Sequence, residues 1–421
     1  MPPSTSPAED ESPLSPGEQL ILLFKLFVII PPQILLNLIR CYALAAIRGI
    51  SFRGYAQIAY YRIALHNFNL RELRTLSPPT RTVYETWIAR QKQRAQAALA
   101  AGTGGRREAF LASRLKVDIE PLSDGKSSVL WIGDRRRASK FVYFMHGGGY
   151  VVPAQVGHME WCARAYLLAS PAAVAADEGE QRDEVAVAVL QYSHSPAAKY
   201  PTQLQQAADG LIRILTTSSP GGVRPGNLVI GGDSAGGNLV AQLLGHLLHP
   251  HPAVKEVKLV EPLAGAFLVS PWLSATNDWP SVRRNGGIDM ISAGSMPMVS
   301  AGILDDGSGQ MINAAEEREG KGWAMPMDLP GEKRVEWFRG LGAVVRKVYV
   351  TAGEQEILLD QCVALVDAVR RGNDAKEVEV RFDVMRDEAH DWVMLEGQRE
   401  VDGDATQRMR EWFKGVFWGR D

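Results

Sequence analysis

The feature that most constrains this chain is the stretch Gly231-Gly232-Asp233-Ser234-Ala235-Gly236-Gly237-Asn238. It follows a short apolar run, Asn227-Leu228-Val229-Ile230, that reads as a strand. It precedes Leu239-Val240-Ala241-Gln242-Leu243-Leu244, which reads as the start of a helix. A backbone that leaves a strand and enters a helix within a few residues needs small neighbours, and the glycines supply them. Ser234 is thereby expected on a sharp, strained turn, with an exposed hydroxyl at a helix N-terminus. There, backbone N–H groups and the helix dipole favour negative charge. The letters G-x-S-x-G also describe an ordinary Gly-rich turn, so the rest of the chain must supply the context.

That context is an alternation of strand and helix patterns. Leu115–Ile119, Ser128–Ile132 and Lys140–Met145 read as strands. Val185–Leu190 is a continuous apolar run, as expected of a strand buried on both faces. Further strands are expected at Gly265–Val269, Lys347–Thr351 and Val378–Val384. Helical stretches fall at Val156–Ala169, Thr202–Thr216, Ala235–Leu248 and Thr406–Phe417. The pattern predicts an α/β fold with a mostly parallel sheet flanked by helices. Residues 273–342 break the alternation and read as an insertion after the strand ending near Ser270, of the kind that forms lids or substrate walls.

The N-terminal third is different. Residues 1–18 are Pro/Ser-rich and acidic and are expected to be disordered. Residues 19–48 are strongly apolar, broken by Lys25, Pro31-Pro32, Gln33, Asn37 and Arg40. An acidic start does not suit a secretory signal. Leu20–Ile39 has about the length of a membrane span, but the prolines and the lysine make insertion marginal. Membrane association through residues 20–47, by a span or in-plane, is the expectation; a helix packed on the body as part of a cap is the alternative. Arg40, Arg48, Arg53 and Arg62 follow the segment, which would put the catalytic body on the cytosolic side, with the endoplasmic reticulum among the candidate membranes. A soluble cytoplasmic protein is the other reading. Residues 49–111 are expected to be a helical cap and 112–421 the catalytic domain.

With a net charge of −2, nothing points to a nucleic-acid partner. Cys41, Cys162 and Cys362 lack metal-ligand spacing and read as buried apolar side chains. Neither a metal nor an organic cofactor is expected, and the sequence says nothing about oligomeric state.

A serine nucleophile needs a base, a group that orients the base, and donors for an oxyanion. The strand–turn–helix serine resembles that of the α/β-hydrolases, and the resemblance implies that the acid and then the histidine follow in the chain. Glu356 comes just after the strand at 347–351, and His390 just after the one at 378–384. Glu354 and Asp360 are rivals for the acid. His146-Gly147-Gly148-Gly149 follows the strand ending at Met145 and exposes successive N–H groups. Two of these glycine amides, with the N–H of Ala235, can bind a developing O⁻. His146 reads as a loop-ordering residue.

These motifs resemble the hormone-sensitive-lipase-like branch of the α/β-hydrolases. The resemblance rests on His146-Gly147-Gly148-Gly149, Gly232-Asp233-Ser234-Ala235-Gly236-Gly237 and Ser270-Pro271-Trp272. Tyr192-Ser193-His194-Ser195-Pro196, Tyr200-Pro201 and Asp209 are similar to a further stretch of that family. The resemblance implies an α/β-hydrolase fold and oxyanion donors at Gly148, Gly149 and Ala235. It also implies a catalytic acid at Glu356, where the family's usual residue is Asp. The family's L-A-P-E has become His194-Ser195-Pro196-Ala197. With its apolar N-terminus the chain is also similar to fungal steryl acetyl hydrolases and related biosynthetic hydrolases. The implied activity is hydrolysis of a lipophilic or acetylated small-molecule ester through Ser234, His390 and Glu356. Acyl transfer or cyclisation in secondary metabolism is the alternative, and a non-catalytic ligand-binding role a minor one.

Overall fold

The computed structural model describes residues 14–174, 183–216, 221–306, 308 and 310–419. Eight strands form one sheet: β1 Ile119–Pro121, β2 Ser128–Ile132, β3 Lys140–Met145, β4 Val185–Gln191, β5 Leu228–Asp233, β6 Gly265–Val269, β7 Lys347–Gly353 and β8 Glu379–Met385. Their order is β1-β2-β4-β3-β5-β6-β7-β8. β1 and β2 run antiparallel, and all pairings from β4 to β8 are parallel. The mostly parallel sheet is therefore present. The expected strand at Leu115–Ile119 is shorter and later: only Ile119–Pro121 pairs, against Leu130, Val129 and Ser128.

Period-2 alternation divides the core into two layers. Tyr143, Met145, Ala188, Leu190, Ile230 and Leu268 face one side, under the helices Thr202–Thr216, Ser234–Leu248 and Leu359–Gly372. Val142, Phe144, Val187, Val189, Val229 and Phe267 face the other, against Val156–Ala165 and Asp404–Phe417. Because β3 and β5–β8 are parallel, the loops after Met145, Asp233, Gly353 and Met385 all open on one edge. Candidate groups far apart in sequence meet there, where ligands gather in open α/β sheets.

The region expected as one helical cap, 49–111, divides in two. Tyr55–Asn67 and Leu70–Leu76 cover the strand ends. Thr80–Ala100 and Arg106–Arg114 join the sheet layer instead, with the Tyr84 hydroxyl donating to Trp131 O at 2.6 Å. Among the described residues, 273–342 contain the short helices Pro280–Asn285, Met296–Leu304, Ile312–Arg318 and Gly331–Trp337; the first two lie beside the strand ends, and the last packs on the helix Leu359–Gly372.

Of the segment expected to be disordered, residues 1–13 lie outside the described residues, whereas Leu14–Glu18 are ordered. Ser15 caps a helix that begins at Pro16, and Glu18 completes a capping box. The helix continues to Arg48 through a π-helical turn at Lys25–Ile29 and ends on left-handed Gly49. Pro31-Pro32, read as breakers, follow that wide turn; prolines lack an N–H to donate, and a local change of helical pitch accommodates them. One side of the helix packs on the body. Lys25 pairs with buried Glu72 at 2.7 Å, and the Asn37 amide donates to Ala59 O at 3.0 Å. The opposite side is apolar and exposed, Phe27 by 75% and Leu36 by 67%. Two of the four arginines read as a membrane flank serve the body: Arg48 donates to Asn285 Oδ1, and Arg62 to Gly286 O and Asp289 O.

Candidate active site

Ser234 follows β5 with φ of +52°, the strained elbow anticipated from the glycines. The turn fits against the end of β3 because Gly236 has no Cβ: one there would collide with Met145 O. The hydroxyl is not open to solvent as expected. Ser234 is only 7% exposed, since the helices at 55–76 and the stretch 290–299 roof it over.

His390 follows β8, and its Nε2 lies 2.8 Å from Ser234 Oγ. Its Nδ1 lies 3.7 Å from Glu356 Oε2, in ion-pair range but beyond a hydrogen bond. Glu356 is fully buried and accepts a hydrogen bond from Ser270 Oγ at 2.5 Å. Burial alone would lower the His390 pKa; Glu356, with Asp289 and Asp233, outweighs it and holds the pKa above the ordinary value. The rivals point elsewhere. Glu354 is exposed, and Asp360 accepts from Ser281 N at 2.6 Å.

Gly147 N–H donates to Asp233 Oδ2 at 2.9 Å. The amide of the first loop glycine is thus occupied, while Gly148 and Gly149 line the cavity with Ser234 and His390. Gly148 has φ of +107°, which only glycine adopts readily. Ala235 sits in the first turn of the helix that Ser234 opens. His146 stacks on Tyr192 at 4.4 Å with its Nδ1 2.7 Å from Gly147 O, and burial pushes its pKa well down. A neutral, stacked imidazole suits the loop-ordering reading.

The cavity above Ser234 measures about 360 Å³, within the range of small-molecule sites. Its walls are mainly apolar: Tyr61, Leu65, Phe68 and Leu73 from the N-terminal helices, Met290 and Val299 from the insertion. Behind the elbow, His158, Asp233 and Asp391 bring ligand-type atoms within 4.8 Å of one another. Asp233 Oδ2 is already taken by Gly147 N–H and by His158 Nε2 at 3.2 Å. Burial and the neighbouring Asp233 raise the Asp391 pKa well above the carboxylate range. All three cysteines are buried, Cys362 with its thiol 3.9 Å from Glu356 Oε1.

Two residues at the site were not given roles from the sequence. Ser270, φ +46°, bridges Glu356 Oε2 and the Asp391 N–H; only its place in Ser270-Pro271-Trp272 hinted at it. Asp289 lies in the stretch without periodicity, so no pattern singled it out. It is fully buried between the acid and histidine loops, and burial raises its pKa to about 6.

A family model described as alpha/beta hydrolase fold matches residues 142–394. Among solved structures, an esterase from the bacterial hormone-sensitive lipase (HSL) family aligns with TM-score 0.51 and 19% identity, over 79% of this chain and 98% of that one. A structure from an analysis of two fungal esterases of Rhizomucor miehei aligns at 0.52 and 16%, over 72% and 84%. An esterase/lipase from an uncultured bacterium aligns at 0.50 and 19%, over 72% and 84%. No match was found among curated proteins. At these identities the structural likeness is one of fold.

Proposed function

Because the chain belongs to the alpha/beta hydrolase fold family, we propose that it is a serine carboxylic-ester hydrolase acting on a lipophilic or acetylated small-molecule ester. The observation that carries this reading is the 2.8 Å contact of Ser234 Oγ with His390 Nε2 on the floor of an apolar cavity, with buried Glu356 behind the imidazole. Ser234 Oγ attacks the acyl carbon while His390 Nε2 takes the hydroxyl proton. The tetrahedral O⁻ is held by the amides of Gly148, Gly149 and Ala235. His390 returns the proton to the leaving alcohol, and the acyl group remains on Ser234. Water, deprotonated by His390, then releases the acid. Glu356 stabilises the imidazolium throughout. The esterase neighbours support the same reaction class. An acyl-length and alcohol-size panel with purified protein tests it: turnover that rises with apolar bulk supports the reading, and no turnover on any ester overturns it. Products that carry the acyl group on a second alcohol or amine would redirect it to acyl transfer.

The helix Pro16–Arg48 associates with a membrane and lies flat on it. Its outer side is apolar and exposed, at Phe27, Leu36 and Ile39 among others. Its inner side is held to the body by Lys25–Glu72, Asn37 and Arg48, so crossing a bilayer would break those contacts. An apolar ridge of this kind settles into the headgroup and acyl boundary of a lipid surface. Vesicle flotation tests this. The full chain floats, and Phe27→Glu with Leu36→Glu sinks while keeping its turnover on a soluble ester. Full-length protein that never floats contradicts the membrane reading.

A further inference from the structure

We propose that Asp289 is a positioning residue for Ser234, His390 and Glu356, a single carboxylate that fixes the acid loop against the histidine loop. The proposal rests on the ester-hydrolase reading above. Asp289 Oδ2 accepts from the N–H of Ile357, the residue next to Glu356, at 2.7 Å. Its Oδ1 accepts from the N–H of His390 at 3.1 Å and from that of Met290 at 2.7 Å. The two loops come from adjacent parallel strands, β7 and β8, and both leave the sheet at the same edge.

The same segment of chain holds the rest of the acid loop. The Asn285 amide donates to Glu354 O and Glu356 O, both at 2.8 Å. Ser281 Oγ donates to Ile357 O at 2.6 Å. The peptide that follows Glu356, together with the carbonyls of Glu354 and Ile357, is therefore tied to residues 281–289. That segment is anchored in turn from the N-terminal helices. Arg62 donates to Gly286 O and Asp289 O, each at 2.6 Å, and Arg48 to Asn285 Oδ1 at 2.9 Å.

The positions set in this way matter because the His390–Glu356 contact is already loose, at 3.7 Å, while the His390–Ser234 contact is tight, at 2.8 Å. Two backbone bonds already join the loops, from Glu354 N–H to Met385 O at 2.8 Å and from Gln355 N–H to Glu388 O at 2.9 Å, and Asp289 adds the tie nearest Glu356 and His390. The chemistry of the clamp also requires a carboxylate. Three N–H groups converge on it, and an ionised carboxylate accepts on both oxygens. An asparagine would turn a donor toward one of them and push it away.

The test is Asp289→Asn in the full-length protein, with active sites counted by fluorophosphonate titration. The expected result is a loss of about 10²-fold in kcat per titrated site, the scale of a small misplacement of catalytic groups, with KM for a short soluble ester unchanged. A residue that merely holds the fold would lower the titratable fraction and leave kcat per site alone. An unchanged kcat per site, or a loss confined to KM, overturns the proposal. If Asp289→Asn does not fold, Arg62→Met decides, since it frees the segment without touching the carboxylate. The same split at smaller amplitude supports the proposal, and an unchanged kcat per site overturns it. Ser234→Ala, run in parallel, separates the two claims. Hydrolysis that survives in Ser234→Ala removes the ester-hydrolase reading itself. A dead Ser234→Ala beside a fully active Asp289→Asn removes the clamp alone.

Discussion

Glu356→Gln removes the negative charge behind the imidazole with little change of volume. Glu356 is fully buried and His390 nearly so, and Glu356 Oε2 lies 3.7 Å from His390 Nδ1. At that separation, opposite charges in a protein of effective dielectric about 20 attract by about 4 kcal/mol. The attraction exists only once His390 is protonated, in the transition state and the tetrahedral intermediate. Its loss therefore falls on kcat, by about 10³-fold at 1.4 kcal/mol per tenfold. The pH profile should move as well. Glu356 raises the His390 pKa against the effect of burial, so the neutral amide lets that pKa fall. The acid limb of kcat/KM then shifts to lower pH, and the variant retains more of its own maximum in mild acid than the parent does. Initial rates on a short chromogenic ester across the pH range measure both effects. A kcat within tenfold of the parent, with an unmoved acid limb, would refute the assignment. A collapse of Glu354→Gln or Asp360→Asn in its place would move the acid to that residue.

Gly148→Ala should lower kcat by about 10²–10³, the usual cost of an oxyanion donor, because a Cβ at φ +107° would strike Val152 O and displace the loop; steady-state rates against thermal melting separate this from unfolding. A chain starting at Ser51 should melt at lower temperature and lose turnover. It leaves buried Glu72 without Lys25, a change of the kind that costs about 3–5 kcal/mol, and it removes Arg48 from Asn285. Calorimetry with assays on the soluble fraction checks this, and a truncated chain with normal melting and rates would contradict the packed-helix description.

Much of the scaffold was legible because its signals are local. The strands Ser128–Ile132, Lys140–Met145 and Gly265–Val269 fall where apolar runs bounded by turn residues placed them. Ser234 and His390 could be read from the glycine elbow and from chain order, and the structure brings them together. The hidden features are those made by tertiary contact. Nothing in residues 80–114 distinguishes a helix that covers a sheet face from one that covers a pocket; Tyr84 reaching Trp131 O makes the difference. The exposure expected for Ser234 failed because the roof comes from residues 55–76 and 290–299, distant in sequence. Asp289 was invisible for the same reason: its side chain meets three backbone N–H groups, and backbone groups leave no mark on sequence.

The most direct test of the account is the site of covalent capture by a fluorophosphonate. Peptide mass spectrometry of the labelled protein should place one adduct on Ser234, and Ser234→Ala should lose both labelling and ester hydrolysis while melting like the parent. An adduct on a different serine, or undiminished hydrolysis by Ser234→Ala, would contradict it.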